Sequence, residues 1–419
     1  MGGGIIQLSA YGSQDVYLTG NPQITFFKSV YYRHTNFSME AVEAAFGGEP
    51  DFGRTLSCTL PKSGDLLHKM YLEISVPALK QEGSEWATWT NGIAHALIKS
   101  IEIQIGGELV DKHYGEWLDI QSELTIPESK RLAFDNMIGK FDGLESGVPH
   151  YASAKRTFFV PLRFWFCKSI GDSLPIIALQ HQDVKLNVTF RPINELVLFS
   201  PRNTETSVLN TDSQPVKLEA SLYIDYIYLD INERKKFVQQ NHEYLIEQLQ
   251  YEGQESISIN AEKFSTQLNF SHPVKEIIWT ITQESNLAIN YKDGNRLLDY
   301  TPRKEDDINI VIDDEFITAN IKFNGMDRFT PRKPNYFKLV QPFEHHTRVP
   351  ADKYIYCYSF AIKPEETQPS GSCNMSCLDQ ATLNLTFPSS IIPSIIKVYA
   401  INYNVLRIMS GMSGLAYVN

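Results

Sequence analysis

Val184-Lys185-Leu186-Asn187-Val188-Thr189-Phe190 alternates apolar and polar side chains without a break. Successive side chains of a strand point to opposite faces, so this stretch reads as a β-strand with one face on a core and one face wet. In the second half of the chain, Leu383-Asn384-Leu385-Thr386-Phe387 repeats Leu186 to Phe190 with a single change. Two weaker echoes precede it in the same order. Lys69-Met70-Tyr71-Leu72-Glu73-Ile74 is followed by Lys275-Glu276-Ile277-Ile278-Trp279-Thr280-Ile281, and Ile101 to Gly107 by Ala319 to Gly325, each of the latter pair a polar-alternating run ending in a tight turn. Alternating strands are common, but three echoes in one order predict a duplicated domain. Each copy has about the size of an elaborated eight-stranded jelly roll.

Working outward, Ile101 to Ile105, Leu218 to Asp225 and Ala381 to Phe387 keep the same period of two. Turn formers punctuate the runs at Gly106-Gly107, Asp293-Gly294, Asn324-Gly325 and Pro369-Ser370-Gly371. Many short strands and few helical periods place the chain in the all-β class. Two stretches look helical. Asn21-Pro22 offers an N-cap and a first-turn proline before Ile24, Phe27 and Val30. Asp230 with Glu233 forms a variant capping box before Arg234 to Gln240, after a strong strand and before fresh strand-like sequence at Leu249. The expected division is an N-terminal arm over 1–26, a first sandwich over 27–230, a linker over 231–248 and a second sandwich over 249–419.

The 419 residues carry 38 Lys+Arg against 49 Asp+Glu, a net charge of −11, which argues against coating nucleic acid or anionic lipid. With 42% hydrophobic residues the chain can build cores, yet no run approaches the roughly 20 apolar residues of a membrane span. The start lacks a basic region and a long apolar stretch, so a signal peptide is not expected, and Ile6 stands where a myristoylation motif wants Ser or Thr. Five scattered cysteines suit a reducing compartment, and Cys373-x3-Cys377 has no second pair with which to hold zinc.

The run from Gln7 to Tyr31, Gln-Leu-Ser-Ala-Tyr-Gly-Ser-Gln-Asp-Val-Tyr-Leu-Thr-Gly-Asn-Pro-Gln-Ile-Thr-Phe-Phe-Lys-Ser-Val-Tyr, resembles the opening of the major capsid proteins of nucleocytoplasmic large DNA viruses. Asp111-Lys112-His113-Tyr114-Gly115-Glu116-Trp117 resembles a segment of that family's first domain, and His242 to Leu249 its inter-domain stretch. Gln368 to Asn374 is similar to a loop of its second jelly roll, and Asn402 to Tyr417 to its C-terminus. The resemblance implies an all-β double jelly roll, two consecutive eight-stranded jelly rolls with short helices in the N-terminal arm, linker and loops. It also implies a homotrimeric capsomer of pseudo-hexagonal shape, because three chains with two similar lobes present six similar corners. By the same resemblance the arm lies on the inner side of the shell, near minor capsid proteins and an internal membrane, with the protein in the virion capsid and, during assembly, in host cytoplasm. Long loops would build an outer tower. Tyr32 stands where many relatives carry Arg, and Gln283 to Asp307 is compact for a tower loop, which leaves room for a lower tower.

Chemistry is weighed against this. A metal-dependent jelly-roll enzyme wants two His two apart on one strand face, and the ten histidines contain no such pair. His345 and His346 read as loop or rim residues, and His34, His113 and His242 as hydrogen-bonded structural ones. Glu305-Asp306-Asp307 and Asp313-Asp314-Glu315 lack EF-hand spacing and read as solvated turns. A nucleophile elbow and a P-loop are both missing. No catalytic residue, metal or cofactor is therefore expected. The residues expected to act are those of an assembly arm, Tyr11, Tyr17, Asn21, Pro22, Phe26 and Phe27, which either dock on a neighbour or plug the base of the first sandwich. Asn36, Asn269 and Asn374 are candidate glycosylation sequons in loops, whereas the sequons at Asn187 and Asn384 fall inside strands. The expected function is a structural shell protein with itself, neighbouring capsomers and minor capsid proteins as partners, and with no direct nucleic-acid contact or membrane insertion. A minor capsid paralogue and a carbohydrate-binding β-sandwich for host attachment remain the alternatives.

Overall fold

A computed structural model describes residues 2–79, 87–140, 154–199, 217–287, 296–302, 316–388 and 392–417. The turn at Asp293-Gly294, both acidic clusters and most of the compact Gln283 to Asp307 stretch lie outside them. The chain forms two compact units, Met1–Asn36 and Phe37–Asn419.

Among the described residues the second unit holds twenty strands, of which sixteen form two sets of eight; the other four are the short Ala87–Trp89, Val197–Phe199, Cys373–Asn374 and Met412–Leu415. The first set is β1 (Phe37–Ala44), β2 (Thr55–Thr59), β3 (Leu66–Val76), β4 (Ile98–Ile105), β5 (Glu108–Tyr114), β6 (Arg156–Pro161), β7 (Val184–Phe190) and β8 (Glu219–Leu229). The second is β9 (His242–Ile257), β10 (Lys263–Gln267), β11 (Pro273–Gln283), β12 (Thr318–Phe323), β13 (Met326–Asp327), β14 (Ile355–Ser359), β15 (Ala381–Thr386) and β16 (Ser394–Met409). The first set makes two four-stranded sheets ordered β1-β8-β3-β6 and β2-β7-β4-β5. Adding eight to each label gives the order of the second set, β9-β16-β11-β14 and β10-β15-β12-β13. Every named pairing is antiparallel. These are two jelly rolls of one topology.

The sequence echoes are matched strands: β3 with β11, β4 with β12, and β7 with β15. Even the turns correspond. Gly106 and Gly107 link β4 to β5 with φ of 62° and 90°, and Asn324 and Gly325 link β12 to β13 with 49° and 81°. Two consecutive left-handed residues make the type I′ turn whose twist matches a hairpin, and Gly and Asn adopt it at least cost.

Helices are short. In the first unit they are α1 (Gly3–Ser9) and α2 (Val16–Thr19). The helix expected after Pro22 does not form. Asn21 sits at φ 49°, left-handed, where an N-cap needs extended backbone, so the chain turns there after α2. In the second unit, α3 (Ile93–Leu97), α4 (Gly115–Thr125) and α5 (Glu128–Ile138) cover the first jelly roll, and α6 (Ile231–Gln239) follows β8. Asp230 stands at the N-cap of α6, but its side chain makes no capping bond.

Candidate functional site, the junction between the jelly rolls

The Asp111 to Trp117 motif turns the end of β5 into α4, and Asp111, Tyr114, Glu116 and Trp117 in it reach the other jelly roll. Asp111 accepts from the Leu249 backbone N–H at 3.0 Å and pairs with His113 at 3.0 Å. Tyr114 meets Tyr251 edge-on, with ring centroids 4.9 Å apart. Gly115 is required by space: a Cβ there would lie 2.2 Å from the carbonyl oxygens of both His95 and Ile98. That close approach sinks α4 so far that every residue from Gly115 to Leu124 is buried.

Glu116 then holds the two halves at once, accepting from Arg191 at 2.7 Å and from Lys397 on β16 at 3.1 Å. Burial by itself would raise its pKa, but the two cations outweigh that and hold it below the usual carboxylate range. Trp117, Ile120 and Leu124 belong to the core of the second jelly roll although they sit on a helix of the first. Ile246, Leu406 and Ile408 return the exchange by packing into the first core. Two turns along α4, Glu123 accepts from Lys140 at 2.5 Å and Arg131 at 2.6 Å, both of its own half, and from Arg348 of the other at 2.5 Å.

The His242 to Leu249 motif forms the opposing side. Glu247 pairs with Lys168 and, at 2.6 Å, with Lys275. Gln248 donates to the Val110 carbonyl and accepts from Asn404 of the C-terminal motif at 2.8 Å. The segments that carry the sequence resemblance in the first jelly roll, the connection and the C-terminus thus meet in one place. Paired charges and exchanged cores tie the two lobes together, because breaking a buried pair strands an uncompensated charge.

His346 departs from expectation. It is no rim residue: its side chain is 2% exposed and held between Glu276 at 3.1 Å and Glu365 at 3.0 Å. Burial opposes its charge, yet the carboxylates win and raise its pKa well above the ordinary value. His113 and His242 are hydrogen-bonded within the structure, and His34 lies against the Thr35 carbonyl. Among the described residues no group of three His, Cys, Asp or Glu is placed to hold a metal ion.

The arm residues belong to the first unit. Tyr11, Asn21, Pro22, Phe26 and Phe27 are exposed in the first unit, Phe27 at 99%, and Tyr17 is exposed on α2. Asn36 ends that unit, exposed. Asn269 and Asn374 are exposed in the second unit, and the Asn374 side-chain oxygen accepts from Ser376 N–H at 3.1 Å. Sequence reasoning missed α4 and its ion pairs. The signal for the helix was present in the three- and four-residue spacing of Trp117, Ile120 and Leu124 with Pro127 beyond.

Residues 25–230 match the family described as major capsid protein N-terminus, and residues 233–414 that described as large eukaryotic DNA virus major capsid protein. The major capsid protein of Pyramimonas orientalis virus is 43% identical, and that of Paramecium bursaria Chlorella virus 1 is 37% identical, each over 100% of both chains. Among solved structures, the PBCV-1 virus capsid superposes with a TM-score of 0.78 at 31% identity, covering 94% of this chain and 100% of that one. The Faustovirus major capsid protein reaches 0.76 at 13% identity over 95% and 94% of the two chains, a likeness of fold.

Proposed function

The chain belongs to the major capsid proteins of large eukaryotic DNA viruses, and from that premise we propose that three copies form a capsomer of pseudo-hexagonal outline that tiles an icosahedral shell. The observation carrying this reading is the strand-for-strand match of the two jelly rolls, eight against eight in one order. A closed threefold assembly of such chains offers six nearly equivalent corners, so a hexagonal lattice needs no sixfold oligomer. The bolted junction supports the same reading, since corners keep their spacing only if the lobes do not move against each other. The relatives are structural proteins of capsids, and the role needs no catalytic group, metal or cofactor.

Within this reading, the arm over 1–26 joins capsomers to minor capsid proteins beneath the shell, near an internal membrane, after folding in host cytoplasm. Its exposed Tyr17, Phe26 and Phe27 are apolar surface of the kind an assembly partner covers. Asn36, Asn269 and Asn374 are the sequons open to a glycan.

Sedimentation of the purified protein, with electron microscopy of the same sample, tests the proposal. A species of three times the 47.7 kDa chain, seen as pseudo-hexagonal discs, is expected; a stable monomer or a sixfold ring defeats it. Deleting residues 1–26 should leave the folded trimer and impair shell formation, whereas an unfolded product would make the arm part of a core.

A further inference from the structure

A cavity of about 700 Å³ lies where β3 and β6 of the first jelly roll meet α4 and β11. That is within the roughly 300–1,000 Å³ of small-molecule sites, which favour junctions between domains. One wall is a single face of α4, since Trp117, Gln121 and Thr125 recur at four-residue spacing. Met70, Leu162 and Ile278 supply apolar surface among the ionisable side chains of the remainder.

The charged groups of the lining are matched, with one inward exception. Lys168 and Lys275 share Glu247, and His346 is gripped by Glu276 and Glu365. Lys69 is exposed and Asp225 half-buried. Arg163 has no carboxylate within ion-pair distance among the described residues. It donates to Thr125 Oγ1 at 2.6 Å and lies 5.8 Å over the Phe134 ring. Burial pulls its pKa down to about 10, so the guanidinium stays charged at neutral pH. One turn before Thr125, Gln121 is 9% exposed and its Oε1 has no hydrogen-bond partner. Turned over, the same carboxamide presents N–H donors in place of that oxygen. A guanidinium with spare donors beside an unpartnered amide, above an apolar wall, is the pattern that receives an anionic head and an apolar body.

We propose that this cavity binds a small amphipathic anion, its carboxylate or phosphate head on Arg163 and Gln121 and its chain along Met70, Leu162 and Ile278. A free fatty acid and a phosphate-headed lipid share that chemistry.

Titration calorimetry on the full-length protein in its native assembled state, followed in parallel by tryptophan fluorescence, tests it with four probes: dodecanoate, dodecyl phosphate, dodecanol and inorganic phosphate. One of the two amphipathic anions or both should bind saturably at one per chain, and the tighter of them identifies the source of the head. Dodecanol should bind about tenfold weaker or worse, and inorganic phosphate not at all. Arg163→Met should bring the anions down to the dodecanol level. Met137→Trp, which fills the cavity while leaving Arg163 on Thr125, should abolish binding, and it decides the matter if Arg163→Met fails to fold. The proposal is overturned by the absence of saturable binding, by inorganic phosphate binding as well as the amphiphiles, or by dodecanoate affinity that folded variants leave unchanged.

Discussion

Strands β3 and β11 occupy the same place in the two jelly rolls, and their sequences echo each other, yet they live in different surroundings. Along β3 the alternation survives: Met70, Leu72 and Ile74 are buried, while Lys69 is exposed and Tyr71 and Glu73 are half-buried. Along β11 every residue from Val274 to Gln283 is buried, and Lys275, the counterpart of Lys69 in the echo, is 0% exposed. The cause is asymmetric cover. Tyr399, paired across from Ile278, packs on Trp117 of α4 at 5.4 Å, so a helix of the first half roofs the sheet of the second. Duplication fixed the topology twice; what was then laid over each sheet decided which copy became a doubly buried layer.

Breaking the roof should have the largest effect. Trp117→Ala removes a fully buried indole and should cost about 3–5 kcal/mol in denaturant unfolding, whereas Phe159→Ala, on the open sheet and 37% exposed, should cost about 1 kcal/mol or less. Equal losses would mean that the two sheets are covered alike. The lysine pair sharpens the contrast next. Lys275→Met leaves Glu247 with Lys168 alone and the Pro364 carbonyl without its 2.6 Å donor, for a loss of about 3 kcal/mol, against about 0.5 kcal/mol or less for Lys69→Met.

The smallest effect is a slope. Burial pushes Glu123 up, but Lys140 and Arg131 hold it below its ordinary value of about 4.5. A carboxylate depressed by folding adds stability that is complete above its unfolded value and is lost as pH falls through the folded one. Stability should therefore decline below about pH 4.5, with this group supplying up to about 1.4 kcal/mol per pH unit. Glu123→Gln should flatten that acid limb in urea titrations at stepped pH, and an unchanged slope would remove Glu123 from the account.

Much of the fold was legible because its signals are local. Alternation marked β4, β7, β8 and β15; Gly106-Gly107 and Asn324-Gly325 marked their hairpins; and the echoes marked the doubling. In the arm local reading failed, since Asn21-Pro22 looks like a helix start until the left-handed Asn21 is seen. At His346 it also failed, because adjacent histidines say nothing of Glu276, seventy positions upstream.

The sequence by itself determined an all-β chain with a doubled domain, since strand period, turn chemistry and repetition are written in neighbouring residues. Only the tertiary structure decided that Glu116 would join Arg191 to Lys397, that α4 would enter the second core, and that Arg163 would line a cavity with no carboxylate in ion-pair distance of it among the described residues. Burial and pairing depend on which distant segments a strand is packed against, and a residue's own neighbours along the chain do not carry that information.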